Sequence, residues 1–280
     1  MSEQRAGLKQ HDLSGRTAVV TGVCGKLGPI WADALLACGA RVAGLDLPGA
    51  RRPPAIEEVR ARHDTERFQI FDADVTSRAS LDRAVESIEE RFGPVGILIN
   101  NAGIDAPPAA PSRSYRLEDI PIEICDDIVR VNLLGLFQTT QAFLGSLRRA
   151  AAGKRGASII NIGSIYGVVS PDARLYDHVA VSPPFLKPPM YGASKAGVEN
   201  LSRYFATHLA GDGIRVNTLI PGGVLGTQDA DFRRKFCERV PLGRMATRDD
   251  LLGPLVFLAS NASSYVTGQS LIVDGGLTCW

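Results

Sequence analysis

Net charge is almost missing from this chain. Its 31 lysines and arginines face 30 aspartates and glutamates, which leaves +1 at pH 7, and no long basic run occurs. That argues against nucleic acid as the main partner. Cysteine is scarce and scattered, at Cys24, Cys38, Cys125, Cys237 and Cys279. The number is odd and no spacing resembles a metal site, so these read as reduced thiols of a cytoplasmic protein without a bound metal. No apolar run is long enough to span a membrane. Met1 to Asp12 is polar and lacks the apolar centre of a signal peptide, so residues 1–12 read as a flexible N-terminus. Internal repeats and low-complexity tracts are absent too.

What is present is ample material for a core. Hydrophobic residues make up 45% of the 280 and charged residues 22%, which excludes a disordered chain and needs no disulfide staples. Short apolar runs alternate with helical patterns. Strands are expected at Thr17 to Val20, Arg41 to Leu45, Phe68 to Phe71, Gly96 to Ile99, Ser158 to Ile162, Arg215 to Leu219 and Ser270 to Val273. Helices are expected at Ile30 to Cys38, Pro53 to His63, Leu81 to Phe92, Ile122 to Ala150, Tyr191 to Leu209 and Leu251 to Ala259. A Pro-rich loop runs from Asp105 to Pro121. Strands separated by helices demand right-handed crossovers. The expected fold is α/β: a single Rossmann-type domain over 1–280, a doubly wound parallel sheet with helices on both faces.

Such a sheet binds ligands at the carboxyl ends of its strands. After the first strand comes Thr21-Gly22-Val23-Cys24-Gly25-Lys26-Leu27-Gly28. Glycines at 22, 25 and 28 permit a tight turn and close approach of a pyrophosphate, and the next helix offers its N-terminal amides to phosphate. Asp46, 24 residues beyond Gly22, ends the second strand. A carboxylate there accepts from the adenosine ribose hydroxyls and repels a 2′-phosphate, which favours NAD over NADP. Lys26, Arg51 and Arg52 are nearby cations that blunt this argument if they are more than solvated loop charges.

Tyr191 and Lys195 stand four apart at the start of a helix, on one face. An ammonium beside a phenol favours phenolate, so the Tyr191 pKa is expected to fall towards working pH, making a proton-transfer group for an alcohol oxygen. Tyr and Lys at this spacing also occur on many solvated helices, and the pair gains meaning only from the rest of the chain.

With these marks in hand, the chain resembles the classical short-chain dehydrogenase/reductases from Leu13 to Gly276. The shared features are the Gly-rich turn, Asp74-Val75, Asn100-Asn101-Ala102-Gly103, Asn132, Ser164, Tyr191 with Lys195, Pro221-Gly222, and Asp274-Gly275-Gly276. The resemblance implies that Tyr191 is the acid/base and that Lys195 binds the nicotinamide ribose and lowers the Tyr191 pKa. It implies that Ser164 positions the substrate oxygen and that Asn132 holds a water linking Lys195 to solvent. It also implies cofactor contacts at Gly22, Gly25, Lys26, Leu27, Gly28, Asp46, Asp74, Val75, Asn101, Ala102, Gly103, Pro221, Gly222 and Val224. The implied activity is NAD-dependent hydride transfer between nicotinamide and a secondary alcohol or ketone. A homo-oligomer, tetramer or dimer, is implied as well.

Three departures from the family pattern stand out. Lys26 occupies the usual middle glycine position, with glycine at 25 instead. That Thr-Gly-x-x-Gly-x-x-Gly spacing is similar to the extended branch, which includes sugar-nucleotide epimerases, and suggests relatives in bacterial surface-sugar synthesis. Ser164 and Tyr191 are 27 residues apart, about twice the family's usual gap. The excess, residues 171–189, reads as an inserted loop over the active site. It carries Asp172, Arg174, Tyr176, Asp177, His178 and Lys187, charges that either read a polar substrate or only solvate a loop. Gly226 stands where the family has Thr after Pro-Gly-x-Val-x, with Thr227 following. The pocket is expected to be lined by Ile104 to Tyr115, Ile165 to Met190 and Val224 to Val240, suited to a small polar, sugar-like or hydroxy-acid substrate. Two other classes stay open: a nucleotide-sugar epimerase or lyase with tightly held NAD, and a non-catalytic NAD-binding protein.

Overall fold

The computed structural model describes residues 8–105, 114–153 and 155–280. Seven strands form one sheet: β1 Thr17–Thr21, β2 Arg41–Asp46, β3 Phe68–Asp72, β4 Val95–Asn100, β5 Ala157–Ile162, β6 Ile214–Pro221 and β7 Ser270–Val273. Every pairing is parallel, in the order β3-β2-β1-β4-β5-β6-β7. The order reverses between β1 and β4, so a crevice opens at their carboxyl ends.

Eight α-helices occur among the described residues: α1 Gly28–Ala37, α2 Pro54–Arg62, α3 Arg78–Phe92, α4 Ile122–Val129, α5 Leu136–Ala151, α6 Pro189–Leu209, α7 Ala230–Cys237 and α8 Asp249–Ala259. The period-two geometry of a strand splits each one between two cores. Ala18 and Val20 of β1 pack with Trp31, Leu35, Leu251 and Leu255 of α1 and α8. Val19, between them, packs with Ile88, Phe143, Leu147 and Phe205 of α3, α5 and α6. Both faces are therefore dry, as a parallel sheet requires.

The expected strands all form, each extended by at most two residues at either end. Leu8–His11 is a 3-10 turn ahead of the fully buried Leu13, and residues 1–7 lie outside the described residues. Three expectations are corrected. The Pro-rich loop contains a 3-10 turn at Leu117–Asp119, while 106–113 lie outside the described residues. The helix expected over Ile122 to Ala150 is three pieces, because Arg130–Gly135 is a π-helical turn between α4 and α5. Such turns mark places where a side chain is re-aimed at a site. Helix α7 was not expected. Asp229 caps it, its carboxylate accepting from the Phe232 amide at 2.8 Å.

Candidate active site

The turn after β1 shows why its glycines are needed. Gly22 has φ of +62°, and a Cβ there would lie 2.9 Å from Ala102 Cα. At Gly28, the first residue of α1, a Cβ would lie 2.5 Å from the Gly22 carbonyl oxygen and from Val23. Both positions exclude a side chain for backbone reasons. Asn101 ties this turn to β4. Its side-chain amide donates to the carbonyls of Thr21 and Gly22, and its oxygen accepts from Trp31 Nε1 at 2.8 Å. Leu27 precedes α1 without any side-chain cap; Pro29 has no amide and Ile30 donates to the Leu27 carbonyl at 3.0 Å, which leaves the Gly28 amide at this helix start for an anion.

A cleft of about 650 Å³ opens over this turn. It is lined by Gly22, Gly25, Lys26, Leu27, Asp46, Asp74, Val75, Asn101, Ala102 and Gly103, and by Tyr191 and Lys195 at its far end. Asp46 accepts from the Cys24 amide at 2.8 Å and from the Leu47 amide at 2.9 Å. Arg51 lines the same end. Asp74 accepts from the amide and hydroxyl of Thr76. Pro221, Gly222 and Val224 line a second cavity of about 620 Å³, which shares Lys26, Leu27, Asp105, Gly163 and Tyr191 with the first.

The proton-transfer residues meet where the two cavities join. Ser164, just past β5, accepts from the Tyr166 amide at 3.2 Å and lines the second cavity together with Tyr191. The turn Ile165–Gly167 rests directly on α6. A Cβ at Gly192 would lie 2.6 Å from the Tyr166 carbonyl oxygen, and one at Gly167 2.9 Å from the Ala196 nitrogen. The glycine after Tyr191 thus permits the turn that follows Ser164 to lie against the start of α6.

Lys195 is buried, and its Nζ donates to the Ile162 carbonyl at 2.9 Å. Burial pulls its pKa down to about 8, with Asp105 acting weakly against that. Tyr191 departs from the sequence expectation: burial first, then the Asp105 carboxylate, push its phenol up to about 12, partly offset by the nearby Ser164 hydroxyl. The Lys195 ammonium lies 6.0 Å from the centre of the Tyr191 ring and is committed to a carbonyl. In the chain alone, desolvation of the phenolate outweighs that cation.

Asn132 sits in the π-helical turn. Its oxygen accepts from the Ile104 amide at 2.8 Å, and its nitrogen donates to the Ile104 carbonyl and to Ser194 Oγ. The structure therefore gives this side chain to the segment after β4, which it pins beside Lys195. A Cβ at Gly103 would come 3.1 Å from Asn132 Oδ1 and 3.5 Å from Lys195 Nζ.

Two of the family departures compensate each other. Lys26 reaches over to the loop after β6, donating to the Val224 carbonyl at 2.9 Å. A Cβ at Gly226 would lie 3.0 Å from its Cε and Nζ. The glycine at 226 makes room for the lysine at 26.

Residues 171–189, expected as an inserted loop, are packed rather than free. Leu175, Tyr176 and Phe185 form a small core with Phe236, Val240 and Met245. Asp172 pairs with Arg239, Asp177 with Lys235, and His178 lies 2.9 Å from Asp229. Of its six notable side chains, only Tyr176 and Lys187 line the cavity with Tyr191. Sequence reasoning named no role for Asp105, which faces both cavities and pairs with Lys187 at 2.7 Å. An acid two residues after Asn-Asn-Ala-Gly was the available signal.

Comparison with known proteins agrees with this geometry. Residues 27–278 match the family model described as enoyl-(acyl carrier protein) reductase, one of the short-chain dehydrogenase/reductase models. The chain is 31% identical over 287 residues to D-arabinitol 2-dehydrogenase (ribulose-forming) of Candida tropicalis, covering 96% of this chain and 94% of that protein. It is 35% identical to L-rhamnose 1-dehydrogenase (NAD(P)(+)) of Azotobacter vinelandii, covering 95% and 97%. A short-chain dehydrogenase from Leptospira borgpetersenii, solved with bound NAD+, superposes with a TM-score of 0.79 at 34% identity, covering 96% of this chain and 95% of that one. The chain belongs to the classical short-chain dehydrogenase/reductase family and is an NAD(P)-dependent oxidoreductase acting on CH–OH groups.

Proposed function

We propose that this protein is an NAD-preferring dehydrogenase that interconverts a secondary alcohol and a ketone on a small sugar-like, polyol or hydroxy-acid substrate. The observation that carries this reading is that Ser164 and Tyr191 line one cavity, and Tyr191 lines the dinucleotide-sized cleft that joins it. The cofactor half fits its ligand. The turn at Gly22 and Gly28 folds too tightly on its own backbone to admit a Cβ, the cleft of about 650 Å³ lies over it, and the start of α1 carries no side-chain cap. When bound there, NAD supplies the hydride acceptor. Asp46 faces the end of the cleft expected to take the adenosine ribose. A carboxylate there supports NAD over NADP, against Arg51 on the same rim.

The chain's own residues divide the remaining work. Tyr191 takes the proton of the substrate hydroxyl. Ser164 donates to the developing alkoxide and keeps the phenol aimed at it. Lys195 steadies the ribose side of the cleft. Tyr166, Tyr176, Lys187, Gln228 and Asp229 offer polar groups around the second cavity, which suits a molecule carrying several hydroxyls. The sugar and polyol names of the two relatives above point the same way. Among the described residues no helix is long and apolar enough to cross a membrane. We also read the chain as part of a homo-oligomer, to be checked by its mass in solution.

The test is a panel of sugars, polyols, hydroxy acids and simple alcohols with NAD or NADP, followed by NADH absorbance. Turnover of a polyol or sugar with NAD is expected. Tighter binding of NADP would overturn the cofactor preference. Retained NAD with no net NADH release on any substrate would favour the epimerase or lyase reading.

A further inference from the structure

The 171–189 segment brings one charged side chain into the space over the catalytic ring. Lys187 lies two residues before α6, and its side chain is only 6% exposed. Its Nζ is 5.1 Å from the centre of the Tyr191 ring and 5.3 Å from that of Tyr166. Lys195 is farther from the Tyr191 ring, at 6.0 Å, and its partner is a neutral carbonyl. The partner of Lys187 is a carboxylate, Asp105 Oδ2, at 2.7 Å. Asp105 is itself placed by design of the fold: Asn132 grips both backbone groups of Ile104, so the next residue is delivered to the seam of the two cavities.

We propose that Lys187 and Asp105 are positioning residues for Tyr191: Lys187 is a second ammonium that favours the phenolate, and Asp105 holds it over the ring and tempers it. This rests on Tyr191 being the acid/base of the dehydrogenase reaction proposed above. Seen from the phenol, the two charges partly cancel. Removing either leaves the other uncompensated: the buried Lys187 ammonium where charge–charge effects are strong, or the Asp105 carboxylate at the exposed rim, where solvent screens part of them. The Asp105 carboxylate already acts to hold protons on Tyr191, Tyr166 and Tyr176. The other groups facing Tyr191 are Ser164 and Tyr166 from the turn after β5, Tyr176 from the 171–189 segment and Lys195 from its own helix. These stay constant across the variants below.

The two single changes must act with opposite sign. Lys187→Met leaves a bare carboxylate, so the midpoint of the pH–rate profile for alcohol oxidation should rise by about one pH unit. The rate at neutral pH should then fall about ten-fold and recover on the alkaline side. Asp105→Asn leaves a bare ammonium and should lower the midpoint by about one unit. Lys187→Arg keeps the charge and should sit near the parent. NAD titration of each variant checks that the cofactor half is intact. Shifts of the same sign, or equal losses at every pH, would overturn the proposal, since a merely structural pair behaves that way.

A second readout needs no turnover. NMR of isotope-labelled tyrosine, with the Tyr191 signal assigned by its loss in Tyr191→Phe, should show ionisation beginning at lower pH in Asp105→Asn than in the parent, and at higher pH in Lys187→Met. If those displacements occur while no alcohol is oxidised, the charge pairing stands and the dehydrogenase reading fails. If the parent oxidises a polyol and the displacements are absent, the pairing fails alone.

Discussion

In the cofactor half of the cleft, the Gly-rich turn, Asp46 and Asn101 come from the tips of three adjacent strands, and backbone amides and carbonyls fix each of them. In the substrate half, Ser164, Tyr191, Lys187 and Asp105 come from a turn, a helix, the 171–189 segment and the segment after β4. The Lys187–Asp105 contact, between residues 82 apart, and the Lys187 ammonium over the Tyr191 ring link three of them. The first half is a property of the sheet and accepts a ligand shared by many proteins. The second is assembled from loops and carries what distinguishes this chain. Loops on a rigid scaffold are where such differences accumulate.

The largest test of that division is Tyr191→Phe. It removes the oxygen that moves the proton and leaves the ring, which packs edge-on against Tyr166 at 6.4 Å. Turnover should fall on the order of 10³-fold or more, at the upper part of what a single acid/base supplies. NAD affinity should change little, and the melting temperature should hold. A loss of NAD binding comparable to the loss of rate would mean the two halves are not separable at this residue.

How far each half was legible in the sequence follows from the same contrast. Strand ends could be read because an apolar run stops at Gly22, Asp46 or Asn100; Gly22 and Asp46 line the cleft themselves, and Asn101 to Gly103 do so just after the third stop. The fragments of the helix after Pro121 could not be read. The π-helical turn is imposed by tertiary contacts: Asn132 engaging Ile104, and Gly135 leaving space for Val75, whose Cγ2 would lie 2.9 Å from a Cβ there. Helix α7 is polar in sequence, though Asp229 followed by Phe232 and Phe236 four apart was a signal. The Lys187–Asp105 pair has no local pattern at all. The sign of the Tyr191 shift was missed because spacing reports a neighbouring charge and says nothing of burial.

Lys195 lies on the boundary between the halves and sharpens the comparison next. Its folded pKa of about 8 stands below the ordinary 10.5 because burial penalises the ammonium. Below pH 8 the penalty is fully present. Between about 8 and 10.5 the unfolded chain binds a proton that the folded chain lacks, so the stability of the parent rises with pH across that window. The whole shift corresponds to about 3 kcal/mol, and loss of the bond to Ile162 would return about 1. Lys195→Met should therefore be more stable than the parent by about 2 kcal/mol at pH 7, with the margin shrinking towards pH 10. Turnover and NAD affinity should both fall. Denaturant melts at several pH values check it. A destabilised Met variant at pH 7 would show that the buried ammonium is structural rather than kept for function.

The smallest effect belongs to the cofactor half. Asp46→Asn keeps the size of the side chain and one acceptor oxygen for the Cys24 or Leu47 amide, but removes the charge. NAD should weaken only a few-fold while the preference over NADP narrows by about ten-fold, which is about 1.4 kcal/mol of lost repulsion. An internal reporter sits beside it. The Cys24 thiol is pushed up to about 11 by burial first and then by the Asp46 carboxylate. Without that charge its pKa should fall, so alkylation at pH 9, followed by peptide mass spectrometry, should speed up at Cys24 and not at Cys237. The reporter reads the field at the turn without any ligand, and the titrations read the same field through the cofactor's 2′ position. If alkylation speeds up while the NAD-to-NADP ratio stays fixed, the Asp46 charge is present but does not choose the cofactor. Arg51, on the same rim, is then the residue to change.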